Sequence, residues 1–537
     1  MHPRASTAAR VIVVAIPVAF LGAFFVYPVA TVVVEGLTGD GGQSFVDLAR
    51  SERFRGIVWF TFWQATASTA LSLAAGLPAA AMVARLSSRR RRLVRALVIV
   101  PFVLPTVVVA AAFEGLFNRV GLVDGPIRLH HTVWAILLAH TFFNYAVVVR
   151  TVGSYWAGLD GRLEDQARVL GANRWRTFAE ITLPRLRPAI TAAASIVFLF
   201  AFTSFGIVLI LGGPRRSTIE TEIFRQAIVR SDLSTAAAVA VVQLVCVLAL
   251  ILVSTRLERR KGTPRTNPRA QSGTVSTALV IGNVVTMVVL LGLPIAVLVE
   301  RSLAVGSGYS LRHYGALVHR VPQLPASAVV ALGNSLLYAV AATAIAVVVG
   351  CLGALVVVYG RGALRHAFDL GLTLPLGTSA VTIGFGMLLA LDQPPLDLRT
   401  SRWIIPIAHA LIGIPFVMRT MVPVLRGIDD RLRDAAAVLG ATPQRIRREV
   451  DAPIAARGLV VAAAFAFAIS LGEFGATSFI PRRVETLTAP IAIFRLLSTP
   501  GALLRGQAMA LSVVLMLLTA LAALLIEARR SPSQGTF

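Results

Sequence analysis

The chain has 537 residues, 56% of them hydrophobic and only 14% charged, where a soluble domain carries about 25% charged residues, so it is a membrane protein. Its net charge is +25, and the arginines sit in short loops between apolar runs, not in one patch with interleaved aromatics, which argues against nucleic acid and for the positive-inside rule. Cys246 and Cys351, its two cysteines, each lie inside an apolar run, so they offer neither a disulfide framework nor a metal site and read as packing residues.

A bilayer core about 30 Å thick needs roughly 20 apolar residues of helix. Uncharged runs of that order occur in the first half at Val11–Val34, Gly56–Ala84, Ala96–Phe113, Thr132–Val149, Ala189–Gly213 and Ala236–Val253. Six more follow at Val275–Val299, Val329–Gly360, Leu370–Leu391, Trp403–Met418, Gly458–Ile480 and Gly506–Ile526. The first run is longer than the roughly 7 to 15 residues of a signal-peptide core and is kept as a membrane anchor. With the N-terminus inside, 33 of the 51 Lys and Arg fall on cytoplasmic segments, which places both chain termini in the cytoplasm. The stretch 256–274, rich in Pro, Gly and charge, reads as a linker between halves. The expected fold is an all-α polytopic membrane protein of about twelve transmembrane helices. These form two tandem, parallel six-helix units, 1–255 and 275–537, with both ends of the chain on one side.

Two cytoplasmic loops, 160–188 and 429–457, repeat each other. Asp165-Gln-Ala167-x-x-x-Gly171, followed by Ile181-x-Leu183-Pro184, recurs as Asp434-Ala-Ala436-x-x-x-Gly440, followed by Val450-x-x-Pro453. The same offset of 269 pairs His140 with His409, Arg150 with Arg419 and Phe205-Gly206 with Phe474-Gly475, which marks an internal duplication. Within the first loop Arg162–Val169 is a good helix former, and Gly171 lets the backbone turn or lets a partner approach closely. Trp175, Phe178 and Ile181 recur at spacing three, giving a second short helix one apolar edge before Pro184 starts the next span. A helix-turn-helix too polar for lipid and too apolar on one edge for water suits a docking site. A single such loop would equally suit a bed of headgroups, but two copies with Gly and Pro in register favour docking. The second copy, with Val450 and Ala452, is expected to be the weaker or asymmetric dock.

This loop resembles the cytoplasmic coupling loop of permease subunits in ATP-binding-cassette importers, although each copy carries Asp where that family usually has Glu. The resemblance extends over most of the chain to the fused two-unit permeases of thiamine and ferric-iron importers, through Phe60-Thr-Phe-Trp-Gln64, Ile136-Leu-Leu-Ala-His-Thr-Phe-Phe-Asn144, Phe205–Gly213 with Thr218-Ile-Glu220, and Ser470-Leu-Gly-Glu-Phe-Gly475. It implies a non-enzymatic transport subunit in the bacterial plasma membrane, served by two copies of a cytoplasmic ATPase, one per coupling loop, and by an extracytoplasmic substrate-binding protein. No phosphate-loop sequence occurs here, so no cofactor is expected in this chain, and ATP and Mg belong to the partner ATPase. Thiamine or its phosphates are the expected cargo, with ferric iron or another small ion as the alternative.

Glu473, an ionisable residue within the eleventh span, is a candidate for the substrate pathway together with Phe205 and Phe474. It either attracts a cation or bonds to the helix beside it. His140 and His409 read first as polar fasteners between helices, with iron ligation as the alternative. A secondary transporter of major-facilitator type has the same span count, but no mid-span carboxylate recurs between the halves here. An integral-membrane enzyme is disfavoured because neither His-Glu-x-x-His nor a Gly-x-Ser-x-Gly elbow occurs.

Overall fold

The computed structural model describes residues 7–86, 88–121, 129–259, 276–360, 362–392, 396–398, 401–480 and 483–529. Among them the only strand pairing is a small ladder of Ala304–Val305 with Gly308–Tyr309; the rest is helix and connection. The proposed linker and both chain ends lie largely outside the described residues.

The first unit runs α1 (Val11–Leu37), α2 (Glu52–Arg85), α3 (Ser88–Val103), α4 (Thr106–Arg119), α5 (Val133–Ala157), α6 (Arg162–Val169), α7 (Leu183–Phe202), α8 (Gly206–Leu211), α9 (Ile219–Phe224) and α10 (Leu233–Arg259). The second repeats this order, with a 3-10 turn (Thr477–Phe479) in place of α8, as α11 (Thr277–Leu303), α12 (Ala328–Tyr359), α13 (Gly362–Gly377), α14 (Ala380–Ala390), α15 (Ile404–Arg426), α16 (Asp430–Val438), α17 (Ala452–Gly472), α18 (Ala489–Ser498) and α19 (Ala502–Arg529). Ten helices among the described residues are long and apolar enough to cross a membrane.

The third and ninth runs, expected as unbroken spans, are each split in two, α3/α4 and α13/α14. Pro105 explains the first break: it has no N–H to give the preceding turn, it disfavours helix at Leu104, and it takes an extended ψ of 138°. At the second, Ser379 turns out of the helix and its hydroxyl accepts the Thr382 N–H, capping α14. The fifth and eleventh runs also end early, at Phe202 and Gly472, so that Ser204 and Glu473 stand in equivalent breaks.

Proline also explains the four wide turns in the long helices. Gly22–Val26, Phe178–Thr182, Val288–Gly292 and Arg447–Asp451 are π-helical, and each precedes an x-Pro pair, at Pro28, Pro184, Pro294 and Pro453. A proline ring crowds the carbonyl four residues back, and a locally widened turn relieves it without ending the helix.

The units exchange their first spans. Residues 7–21 pack on α12 and residues 27–37 of α1 on α14, while in return α11 packs on α2 and α4. One continuous core joins the halves, containing Val107 and Phe113 of α4, Phe205, and Phe474 with Ile491 from the second unit.

Candidate functional site: paired loops and an aromatic stack between the halves

Each repeated loop folds as a helix, a left-handed glycine and a second short helix. Gly171 has φ +86° and Gly440 φ +82°. The glycine N–H bonds back to Arg168 O in one copy and to Ala437 O in the other, both at 3.0 Å, and the next N–H reaches Ala167 O (2.9 Å) or Ala436 O (3.0 Å). That pair of reversed bonds satisfies the last helix carbonyls and needs a residue comfortable at positive φ, hence glycine. A Cβ at either glycine would meet nothing within 4 Å, so within this chain the turn, and not a close approach, accounts for the residue.

The glycine turn lifts an apolar pair into solvent just before it. Val169 and Leu170 are each 87% exposed, and Val438 and Leu439 are 87% and 86% exposed. Sequence reasoning did not single these residues out, although Val-Leu-Gly-Ala stands in both repeats as a legible signal. Asp165 and Asp434 lie on the exposed sides of α6 and α16, Asp165 paired with Arg168 at 3.0 Å. Ala167 is buried and Ala436 half-buried; Ile181 and Val450 are half-buried in the π-turns. Pro184 and Pro453 open α7 and α17. Trp175 is exposed at the tip, and Phe178 stacks on Trp156 with ring centroids 6.2 Å apart.

Each loop is tied to its own π-turn. Thr182 Oγ1 donates to the buried Glu164 at 2.7 Å, and at the equivalent positions Arg433 Nε donates to Asp451 at 2.8 Å. Arg433 also reaches Asp430 and the Tyr359 hydroxyl at the end of α12. Partial burial opposes its charge, but the hydrogen bonds of Asp451 and Asp430 prevail and raise its pKa above the usual arginine value. Helix α6 buries Glu164 and Ala167, whereas α16 buries no side chain, so the second loop is held less closely.

Behind the loops, two histidines fasten the helix breaks. His140 Nδ1 lies 2.9 Å from Ser68 Oγ on α2, and its Nε2 lies 2.8 Å from Ser204 Oγ. His409 Nδ1 lies 2.7 Å from Ser470 Oγ, with Nε2 2.8 Å from Thr477 Oγ1 and 3.1 Å from Glu473 Oε2. Thr477 gives its hydroxyl proton to Glu473 (2.6 Å), so Nε2 is a donor in this cluster. Glu473 accepts in addition the N–H groups of Ala476 (2.7 Å) and Thr477 (3.1 Å). Both its oxygens are therefore engaged inside the break. Among the described residues no group of three His, Cys, Asp or Glu could hold a metal ion.

The breaks bring Phe205 and Phe474 face to face. These duplicated residues stack with centroids 5.3 Å apart and planes 25° apart, as equivalent groups do when a two-fold axis passes between them. Phe205 packs on Phe224 at 5.5 Å and Phe474 on Phe494 at 5.4 Å, extending the symmetry, while Phe224 meets Phe479 edge-on at 5.8 Å. Beside them the buried Glu220 crosses between units. It accepts from Ser379 Oγ at 2.8 Å, in the α13/α14 break, and from Gln243 Nε2 at 2.7 Å. Ser379 is legible as a helix cap, but nothing in the sequence joins it to a carboxylate 159 residues away.

Residues 72–262, from mid-α2 past the first repeated loop, match the family described as the binding-protein-dependent transport system inner membrane component. The chain is 28% identical over 446 residues to the thiamine transport system permease protein ThiP of Salmonella typhimurium, covering 78% of this chain and 79% of that protein. It is 26% identical over 449 residues to ThiP of Escherichia coli, covering 78% and 79%. Similarity to the putative 2-aminoethylphosphonate transport system permease protein PhnU of Salmonella typhimurium is 25% over 250 residues, 44% of this chain and 87% of that one.

Proposed function

We propose that this chain, of which residues 72–262 match the inner membrane components of binding-protein-dependent transport systems, is the entire membrane pathway of an ATP-driven importer of thiamine or its phosphates. The observation that carries the ATP-driven part is the pair of loops: two left-handed glycines, each presenting an exposed Val-Leu pair, make two docking knobs for two copies of a cytoplasmic ATPase. ATP and Mg bind on those subunits, and a substrate-binding protein delivers cargo on the opposite side, with both termini of this chain cytoplasmic. The cargo assignment rests on the likeness to the thiamine permeases.

The chain's own residues then transmit motion. Closure of the ATPase pair moves α6 and α16, and the ties Thr182–Glu164 and Arg433–Asp451 carry that movement into α7 and α17. The histidine clusters keep each break attached to its neighbouring helices. The Phe205–Phe474 stack, where equivalent residues of the two halves close on each other, parts to open the pathway.

Native mass spectrometry of the purified complex tests the assembly: one copy of this chain with two ATPase subunits is expected, and two copies of this chain or a single ATPase in the working form would overturn it. Deleting the gene in a strain unable to make thiamine should create a need for high external thiamine. Normal growth at low thiamine together with lost iron uptake would reassign the cargo.

A further inference from the structure

A cavity of about 630 Å³ lies at the end of the first unit away from the coupling loops, and five arginines line it: Arg53, Arg215, Arg216, Arg225 and Arg230. Its position follows from the path of the chain. Helix α7 leaves the coupling loop at Leu183, reaches the aromatic stack after Phe202, and the chain arrives at residues 214–217 only beyond it. Among the described residues the only carboxylate in an ion pair with any of the five is Glu222, 3.7 Å from Arg53 and 3.6 Å from Arg225. Arg225 also donates to Ser217 Oγ at 2.6 Å, and the Arg216 guanidinium lies 5.8 Å from the centroid of the Phe60 ring. One buried carboxylate against five guanidiniums leaves a concave surface with a large excess of positive charge.

The duplication keeps part of this basicity, since Pro214-Arg215-Arg216 returns as Pro481-Arg482-Arg483 ahead of the equivalent helix cap. The second copy differs in spacing: its arginine pair lies three residues further from the cap Thr488 than Arg215 and Arg216 lie from Thr218, with Glu485 and Thr486 in between, while Arg225 finds its equivalent in Arg495. Setting Ser51 against Ser327 places Val329 at the position of Arg53. The cavity also leads inward. A second cavity of about 330 Å³ shares Arg216, Ser217, Arg225 and Arg230 with it and is bounded by Phe224, which packs on Phe205 of the central stack.

We propose that this cavity binds a phosphate-type dianion, the phosphate group of an incoming solute, before the solute passes the aromatic stack. Planar guanidiniums present paired N–H donors that match the oxygens of a phosphate, and a concave wall strengthens their field by excluding water. A cation lacking such a group finds only repulsion there. This inference rests on and deepens the reading as an importer of thiamine or its phosphates, and gives the phosphorylated form a binding step of its own.

The direct test is calorimetric titration of inorganic pyrophosphate into the full complex in phosphatidylcholine nanodiscs, comparing wild type with the double variant Arg215→Gln, Arg216→Gln. Both arginines are exposed and stand apart from Glu222, so folding is spared. Saturable binding, weakened at least about tenfold in the variant and by added salt, is expected. Arg55→Gln, which removes a charge paired with Glu52 outside the cavity, should leave binding unchanged. Absence of saturable binding, or equal binding in the double variant, would overturn the site. Binding that vanishes in nanodiscs containing phosphatidylglycerol would identify a lipid headgroup as the occupant and overturn the solute assignment. In uptake assays the double variant should lose thiamine phosphate transport and keep that of unphosphorylated thiamine; equal loss of both would point instead to an acidic face of the delivering protein. If wild type carried neither compound, the cargo reading would fail while the pyrophosphate titration still decided the site.

Discussion

Arg433 donates to Asp451 at 2.8 Å in the place where, one repeat earlier, Thr182 donates to Glu164 at 2.7 Å. The duplicated fold has kept the tie between loop helix and π-turn while exchanging its chemistry, and in the second copy the donor has moved to the other partner. The connection, not the residue type, is what the loop requires. Asp451→Ala should therefore cut transport severalfold with normal membrane insertion. Transplanting the second pair into the first loop, Glu164→Arg with Thr182→Asp, should restore what either single change loses. A double-mutant cycle on ATPase affinity should give a coupling of about 1–2 kcal/mol, since a charged hydrogen bond at a half-exposed site is partly screened.

The exposed apolar pairs make a sharper prediction. Burying one leucine against a partner is worth about 2–3 kcal/mol, so Leu170→Asp or Leu439→Asp should weaken ATPase binding by about 30- to 100-fold or more. Neither side chain touches the chain's own core, so expression and thermal stability of the isolated chain should not change. The measurement is co-purification of the ATPase, and retention by both variants would remove these knobs from the interface.

Gly171→Ala and Gly440→Ala place a side chain at positive φ, with a cost of about 1–2 kcal/mol concentrated in the turn. Asn tolerates that backbone better, so Gly171→Asn should retain more ATPase binding than Gly171→Ala. A steric requirement of the partner would reverse the comparison, because Asn is the larger residue. The first loop should be the more sensitive, as α6 is held by buried Glu164 and Ala167 and α16 by no buried side chain.

At the central stack, Phe205→Ala or Phe474→Ala removes one ring of a pair on the axis. Truncating a buried phenylalanine costs about 3–5 kcal/mol of packing and leaves a gap between the halves. Proteoliposomes carrying either variant should leak small solutes without ATP, whereas wild type should not. Tight vesicles from both variants would place the barrier elsewhere.

The periodicity of apolar residues showed ten of the long helices, because a bilayer imposes a length that any sequence must display. It did not show the breaks in the third and ninth spans. An apolar run through Pro105 or Ser379 scores as one span, although proline stereochemistry in one case and a capping hydroxyl in the other ends the helix. The two turn glycines, Gly171 and Gly440, were readable from their register in two copies. The Val-Leu pairs were printed in the same register but look like any other apolar residues until the turn exposes them. Phe205 and Phe474 were named from the duplication, yet their stacking depends on a two-fold relationship between halves that lies in no local pattern. Glu473 looked like a charge facing a pathway, and its contacts with Ala476, Thr477 and His409 become visible only once the chain turns at that residue.

The most direct test of the whole account is uptake of thiamine and thiamine phosphate into proteoliposomes holding this chain, its ATPase and its binding protein, with ATP and the proton gradient varied independently. Uptake that follows ATP hydrolysis, survives collapse of the proton gradient and stops in the Leu170→Asp, Leu439→Asp double variant is the predicted result. Uptake that proceeds without ATP and tracks the proton gradient would contradict the account, making the paired loops simple connectors and the chain a secondary transporter.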